Sequence, residues 1–256
     1  MRAKLLVLLF VTVLAAVTLT ADSGDAIPAD GGEIQVTPIM RTGVQIEFGG
    51  KVIQVNPLSK YDGKEIPFVG KFDALKPADL ILVSDVGADT LDIDEIVKIR
   101  KPGAPVVMPA AVATQAGSKV ASPTNVMANG DMATVAGISI EALPMYNVDH
   151  GPKPGEVYHP KGRGNGYILT LGGKRLYLMG DTECTPEVRA VKNVDAAFVP
   201  MNMPYTMTPA DAVMCVMEMQ PKIAYPYHYE GQRRDETLFR AFLKGTPVEV
   251  RINTKG

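Results

Sequence analysis

ILVSDVGADTLD, Ile81 to Asp92, is an apolar run that passes without a break into an acidic loop. With Asp79 and Leu80 before it, the run to Val83 reads as a buried strand. Asp85 and Asp89 follow four positions apart, in a stretch with no His, no Cys and no evident nucleophile. A loop at the C-terminal end of such a strand is where many α/β proteins place their chemistry. The stretch therefore raises two questions: what surrounds the strand, and what the loop does.

Upstream, Ile34–Ile39, Val44–Phe48 and Lys51–Val55 alternate apolar and polar residues and are joined by Thr-Gly and Gly-Gly turns, the pattern of an antiparallel meander. Downstream, Leu91–Arg100 carries helical spacing and stops before Lys101-Pro102-Gly103. A short strand at Val106–Met108 and a short helix at Ala111–Ala116 come next. Two hairpins follow, Met132–Val135 with Ile138–Leu143 and Gly166–Leu171 with Lys174–Met179. The remainder alternates: helix Pro186–Val191, strand Ala196–Pro200, a helix opened by Thr208-Pro209 and running to Met219, strand Ile223–Tyr225, helix Thr237–Leu243 and strand Val248–Ile252. Hairpins open each half and helix–strand alternation closes it. That order predicts an αββα sandwich, two mixed β-sheets flanked by helices, rather than a doubly wound parallel sheet.

The chain has 256 residues, 46% of them hydrophobic, which suits one large domain or two small ones; residues 34–256 read as one. A formal charge of -2 leaves no basic stripe for nucleic acid, so the expected partner is a small-molecule substrate or ligand. Arg2 and Lys4 precede the apolar run Leu5–Val17, and small and polar residues continue to Ala26. This is the pattern of a signal peptide over residues 1–21, with the cut between Ala21 and Ala26. The run is shorter than the roughly 20 apolar residues a membrane span needs. The mature chain is thus expected to be exported, periplasmic or secreted, with no stable membrane span after cleavage. Residues 22–33 read as a polar, flexible leader. Cys184 and Cys215 are expected as two half-buried thiols, although an oxidising compartment would also permit a bond.

The three histidines are His150, His159 and His228. His228, in Tyr225-Pro-Tyr-His-Tyr229, directly follows a strand; Asp181, in Met179-Gly-Asp-Thr182, does the same; Asp89 lies just beyond Val83. Three candidate ligands at three strand ends can converge on one rim. The methionines Met201, Met203, Met207, Met214, Met217 and Met219 read as core packing, Met214 and Met217 being spaced i, i+3 on a helix. The serines lack a Gly-x-Ser-x-Gly elbow, so a serine-hydrolase reading has little support.

The strings His159-Pro-Lys-Gly-Arg-Gly-Asn-Gly-Tyr167, Gly172-Gly-Lys-Arg-Leu-Tyr-Leu-Met-Gly-Asp-Thr182, Val199-Pro-Met-Asn-Met-Pro-Tyr-Thr-Met-Thr-Pro209 and Pro221-Lys-Ile-Ala-Tyr-Pro-Tyr-His-Tyr229 resemble the metallo-β-lactamase fold superfamily, in its metal-dependent hydrolase-like branch. The resemblance runs from about Ile34 to the C-terminus and implies the αββα sandwich, with metal held in the cleft between its halves. It also implies a first metal motif, T-H-x-H-x-D-H or T-D-x-H-x-D-H, at the end of a strand. Laid onto ILVSDVGADTLD, Ser84 takes the Thr place and Asp85 the first ligand place. Gly87 and Thr90 stand where two histidines belong, and Asp89 keeps the Asp. Asp181 matches the bridging Asp, and His228 the final His. The middle His place falls at Asn147, with His150 and His159 nearby.

By this reading the metal ligands are Asp89, Asp181, His228 and His159, with Asp85 and Asp89 as catalytic carboxylates. Such a set cannot build two nitrogen-rich zinc shells of about four ligands each. It could hold one divalent ion (Zn, Mn or Fe), weakly or not at all, and its oxygen donors suit Mn, Fe or Mg better than zinc. Lys161 and Arg163, in the Gly-rich loop, could neutralise the carboxylates or hold an anionic substrate. Asn202 and Tyr205 are expected to touch substrate. The function implied is an exported hydrolase-family protein with a reduced, at most mononuclear site. The alternative is a metal-free binding or scaffold descendant of the same fold.

Overall fold

The computed structural model describes residues 25–61, 64–65, 75–229 and 233–252. The expected signal peptide, residues 1–21, lies outside the described residues. Two seven-stranded sheets carry the fold, and in both the strands lie side by side in chain order. The first holds β1 (Asp25–Ala29), β2 (Gly32–Pro38), β3 (Val44–Phe48), β4 (Lys51–Val55), β7 (Leu80–Leu82), β8 (Val106–Met108) and β9 (Thr124–Val126). Between β4 and β7 lies a minor hairpin of β5 (Lys60–Tyr61) and β6 (Lys64–Glu65). The second sheet holds β10 (Met132–Val135), β11 (Ile138–Met145), β12 (Gly164–Leu171), β13 (Lys174–Leu178), β14 (Ala196–Pro200), β15 (Ile223–Tyr227) and β16 (Glu249–Val250).

Each sheet begins antiparallel and ends parallel. The parallel steps need crossovers, and helices supply most of them. In the first half these are α1 (Ile93–Ile99) and α2 (Ala110–Ala116), which a short 3₁₀ turn, Gly117–Lys119, extends. In the second they are α3 (Pro186–Ala190), α4 (Pro209–Met219) and α5 (Arg233–Leu243).

Period-two alternation along β7 shows why the apolar run is continuous. Leu80 and Leu82 enter the core between the sheets, with Ile46, Ile53, Leu169 and Phe198. Ile81 and Val83 face the other way, against Ile96, Ile99 and Val112 of the helices. On the far side, Ile168, Tyr177 and Val199 pack against Cys215, Val216 and Phe239. Helix layer, sheet, sheet and helix layer are therefore sealed by three apolar cores, the expected αββα sandwich.

Three expectations need correction. Residues 25–33 are not a flexible leader: they form β1 and the start of β2, paired from Asp25↔Val36 to Ala29↔Gly32. Ile27 is buried, and Asp30 N–H donates to the Gly172 carbonyl at 2.9 Å, tying this hairpin to the second sheet. The cysteines are joined, Cys184 to Cys215 with Cα atoms 5.5 Å apart. Helix α4 turns Ala212, Cys215, Val216 and Met219 inward. That leaves Met214 and Met217 on its solvent face, 58% and 41% exposed, so the i, i+3 pair is not core, and Met203 is exposed as well, whereas Met201, Met207 and Met219 are buried as expected.

Candidate metal centre

The ends of β7, β11, β13, β14 and β15 open onto one rim, and each delivers a polar residue to it. The loop after β7 is locked from below. The buried Asn56 amide donates to Ser84 Oγ and to Thr42 Oγ1, both at 2.9 Å, and its oxygen accepts from Ser84 N–H at 2.8 Å. The chain then turns tightly, the Gly87 carbonyl accepting from Thr90 N–H at 3.0 Å and Leu91 N–H at 2.9 Å. Thr90 Oγ1 lies 3.0 Å from both the Asp85 and Gly87 carbonyls, so this hydroxyl fastens the turn and faces no ligand. A Cβ built on Gly87 falls 2.8 Å from Asp89 Oδ1 and 3.2 Å from Thr90 Oγ1. The room a side chain at 87 would need is taken up by the Asp89 carboxylate itself.

Asp89, Asp181 and His228 meet here, one candidate ligand atom from each lying within 4.8 Å of the others. His228 Nδ1 is 2.6 Å from Asp181 Oδ1, and His228 Nε2 is 3.0 Å from Asp89 Oδ2. The ring is thus held by a carboxylate on each nitrogen. His228 and Asp181 side chains are 1–2% exposed, whereas Asp89 is 21% exposed and is the member that solvent reaches. The His228 backbone sits at φ 51°, left-handed for a residue with a Cβ, which costs on the order of 1 kcal/mol. Its N–H donates to the Arg41 carbonyl at 3.0 Å, which fixes that conformation.

Electrostatics follow from this enclosure. Burial disfavours a charged imidazole, but the charge and hydrogen bond of Asp181, joined by those of Asp89, outweigh it and raise the His228 pKa to about 9. Burial also opposes the charge on Asp89. There the hydrogen bond and charge of His228, helped by Arg41, win and hold the carboxyl below its usual range. The raised His228 pKa favours the imidazolium at neutral pH. Asn202 Nδ2 lies 3.0 Å from His228 Nε2. A protonated Nε2 pairs with that amide only when its oxygen faces the ring, and a bare Nε2 when its nitrogen does.

The other expected residues fall into different roles. Asp85 is fully buried and gripped by Arg163: Nε to Oδ1 at 2.9 Å, Nε to Oδ2 at 3.2 Å and Nη2 to Oδ2 at 2.5 Å. It is an ion-pair partner, not a free base. Lys161 pairs with Glu187 and stands 4.8 Å from the centre of the Tyr146 ring, while the Tyr146 hydroxyl donates to Glu187 at 2.8 Å. Both cations of the Gly-rich loop are thus engaged by the chain's own carboxylates. Asn147 is a strut: its oxygen lies 2.8 Å from His159 N and 2.7 Å from His159 Nδ1, and its amide donates to the Tyr205 carbonyl at 2.8 Å. This aims His159 Nε2 at Asp181 Oδ2, 4.0 Å away, beside the trio. His150 turns aside to the Thr206 carbonyl at 2.6 Å and Glu183 at 3.3 Å. Tyr205 is 44% exposed and meets Tyr158 edge-on, ring centres 4.7 Å apart.

Asn147 as a strut has no counterpart in the sequence-based expectations, whereas Arg163 does neutralise a cleft carboxylate as one of them held, its partner being Asp85, 78 residues away. A Pro-Met-Tyr-Asn strand end and an Arg between two glycines were the only local signals.

The donor set can be tested against the metal chemistry of the fold. One ion fits by donor type: Nε2 of His228 with Asp89, while Asp181 holds Nδ1–H and so orients the ring, the usual partner of a ligating histidine. Among the described residues no second cluster of three such donors accompanies it. Gly87 offers no donor, the Thr90 hydroxyl hydrogen-bonds the backbone, and both oxygens of Asp85 are held by Arg163.

Residues 35–228 match the family model of the beta-lactamase superfamily domain. A metal-dependent hydrolase from Pelotomaculum thermopropionicum is 26% identical over 87% of this chain and 98% of its own length. One from Deinococcus radiodurans is 29% identical over 61% and 69%. Among solved structures, a metal-dependent hydrolase from Parabacteroides distasonis is 34% identical, covers 90% of this chain and 97% of its own, and superposes with a TM-score of 0.77. A metallo hydrolase from Ignicoccus hospitalis, 18% identical with a TM-score of 0.65 over 87% of this chain and 96% of its own, shares the fold. Matched over most of its length and built as the sandwich these relatives share, the chain belongs to the beta-lactamase superfamily, in the metal-dependent hydrolase family of the metallo-β-lactamase fold.

Proposed function

We propose that the chain is an exported hydrolase of this family that works with at most one divalent ion. The observation that carries this reading is the placement of the donors around a single imidazole: Asp181 on Nδ1 and Asp89 on Nε2. One ring offers one lone pair to one ion. A bound ion would acidify a water toward neutral pH and polarise the scissile group. The chain's own residues do the rest. Asp181 keeps the ring in one tautomer, Asn202 faces Nε2, and Asp89, the solvent-exposed member, meets whatever enters the cleft. Export is supported by the basic-then-apolar N-terminal sequence and by the Cys184–Cys215 bond, since such bonds persist in oxidising compartments. The substrate is a small molecule, in keeping with the absence of a basic stripe in the sequence.

The test compares chelator-stripped protein with protein given Mn²⁺, Fe²⁺ or Zn²⁺ on a panel of 4-nitrophenyl esters and phosphodiesters. Turnover should appear only with an ion and vanish in Asp89→Ala. Asp181→Asn should weaken ion affinity about 10–100-fold. Turnover that persists in stripped protein, or in Asp89→Ala, contradicts the reading. A second reading, a metal-free binding protein, is favoured by one specific feature: His228 already has a partner on each nitrogen and needs no ion. Uptake below about 0.1 equivalent of every ion tried would decide for it.

A further inference from the structure

We infer that the Asp85–Arg163 pair is a cation site filled from within: the Arg163 guanidinium does the electrostatic work of an ion at the β7 half of the cleft. This rests on the assignment of the centre above only for its location.

Asp85 stands at the end of β7, where the family resemblance places a metal ligand. Its side chain is 1% exposed, so its charge needs a counter-charge within contact distance. Three contacts between 2.5 and 3.2 Å, from Nε and Nη2, supply it. Both carboxylate oxygens are covered, as bidentate guanidinium recognition requires.

The backbone is shaped to bring the guanidinium there. Gly162 has φ +85° and Gly164 lies hard against the β7 loop. A Cβ on Gly164 would sit 2.8 Å from the Ser84 carbonyl, 3.3 Å from Asp85 Cβ and 2.3 Å from Met145 Cε. Asn165 N–H donates to the same Ser84 carbonyl at 2.9 Å, locking the start of β12 onto the loop. Two glycines flanking one arginine therefore let the chain approach closely enough for Arg163 to reach a carboxylate 78 positions earlier. Met145 packs the neighbouring space, since a Cβ on Gly180 would fall 2.4 Å from its Sδ. The site is thus closed and internally neutral, and it needs no external ion. It also follows that Arg163 is not available to hold an anionic substrate.

A cation site that is filled from within should become a real one when its occupant is cut back. Arg163→Ala is the test, with methylguanidinium at millimolar concentration and MnCl₂ as probes. Thermal unfolding and bound manganese per chain are the readouts. Truncation should lower Tm on the order of 10 °C, because it strands a buried charge. Methylguanidinium should recover at least half of that loss and leave the parent Tm unmoved. Mn²⁺, which the parent also takes up at His228, should raise the variant's Tm by at least half of that loss more than it raises the parent's, with one more bound manganese per chain than in the parent. The double variant Asp85→Asn with Arg163→Met removes both charges and should unfold cooperatively within a few degrees of the parent. It also keeps the test decisive if Arg163→Ala does not fold. No recovery by either probe, or a double variant that does not fold near the parent Tm, overturns the inference. Because each readout compares variant with parent, the result does not depend on how many ions the parent holds at His228.

Discussion

At the scale of single residues, the centre is governed by where protons sit on one imidazole. His228 is raised from 6.5 to about 9, so its charge stabilises the folded, ion-free chain fully below pH 6.5. That stabilisation is lost as pH climbs through about 9. Urea unfolding in the presence of a chelator at pH 6, 7.5 and 9.5 should show the fall, and Asp181→Asn should flatten it. Asp89, held below its ordinary 3.8, contributes in the opposite sense. Its share is present above that ordinary value and disappears as pH falls through the folded one. An ion on Nε2 must displace a proton, so apparent Mn²⁺ affinity should rise roughly tenfold per pH unit and level off above about 9. Gly87 offers a sharper probe. Because its Cβ would fall 2.8 Å from Asp89 Oδ1, Gly87→Ala should push that carboxylate from the ring and move the His228 midpoint down toward 6.5, read by NMR of the imidazole.

At the scale of elements, strand ends were legible in sequence and long-range pairings were not. Leu80–Val83, Leu176–Met179 and Ile223–Tyr227 are apolar and aromatic runs that stop abruptly, and a polar residue soon after such a stop has to lie on the rim. That reasoning located Asp89, Asp181 and His228. A loop cation neutralising the carboxylates was expected, but local sequence carries no record of which cation meets which carboxylate, so the partnership of Asp85 with Arg163 comes only with the fold. β1 was hidden for another reason: in Asp-Ala-Ile-Pro-Ala only Ile27 is buried, too little to display a period of two, and Pro28 is tolerated because the strand is an edge. The disulfide was underestimated because the folding of α4 over the loop after β13 sets the 5.5 Å Cα separation, not the spacing of 31 residues. It ties the loop carrying Asp181 to the helix that follows Asn202. Replacing both cysteines by serine should cost about 3–4 kcal/mol and lower Tm by roughly 10 °C, measured by calorimetry. Ion affinity should fall with it, because Asp181 lies three residues from Cys184.

At the scale of the whole molecule, two halves built on the same plan, antiparallel strands first and parallel strands after, face each other across one apolar core. Hairpin turns and alternating strands made that plan readable. The arrangement brings the carboxyl ends of β7, β13, β14 and β15 to a common rim. In this chain the rim is asymmetric. One side keeps a trio of donors around His228, and the other is closed by an arginine. The direct measurement of that asymmetry is the number of ions per chain in tag-free protein saturated with Mn²⁺, counted by native mass spectrometry on the parent and on His228→Ala. At most one ion should bind the parent and none the variant. Two ions in the parent, or one that survives the loss of His228, would contradict that asymmetry.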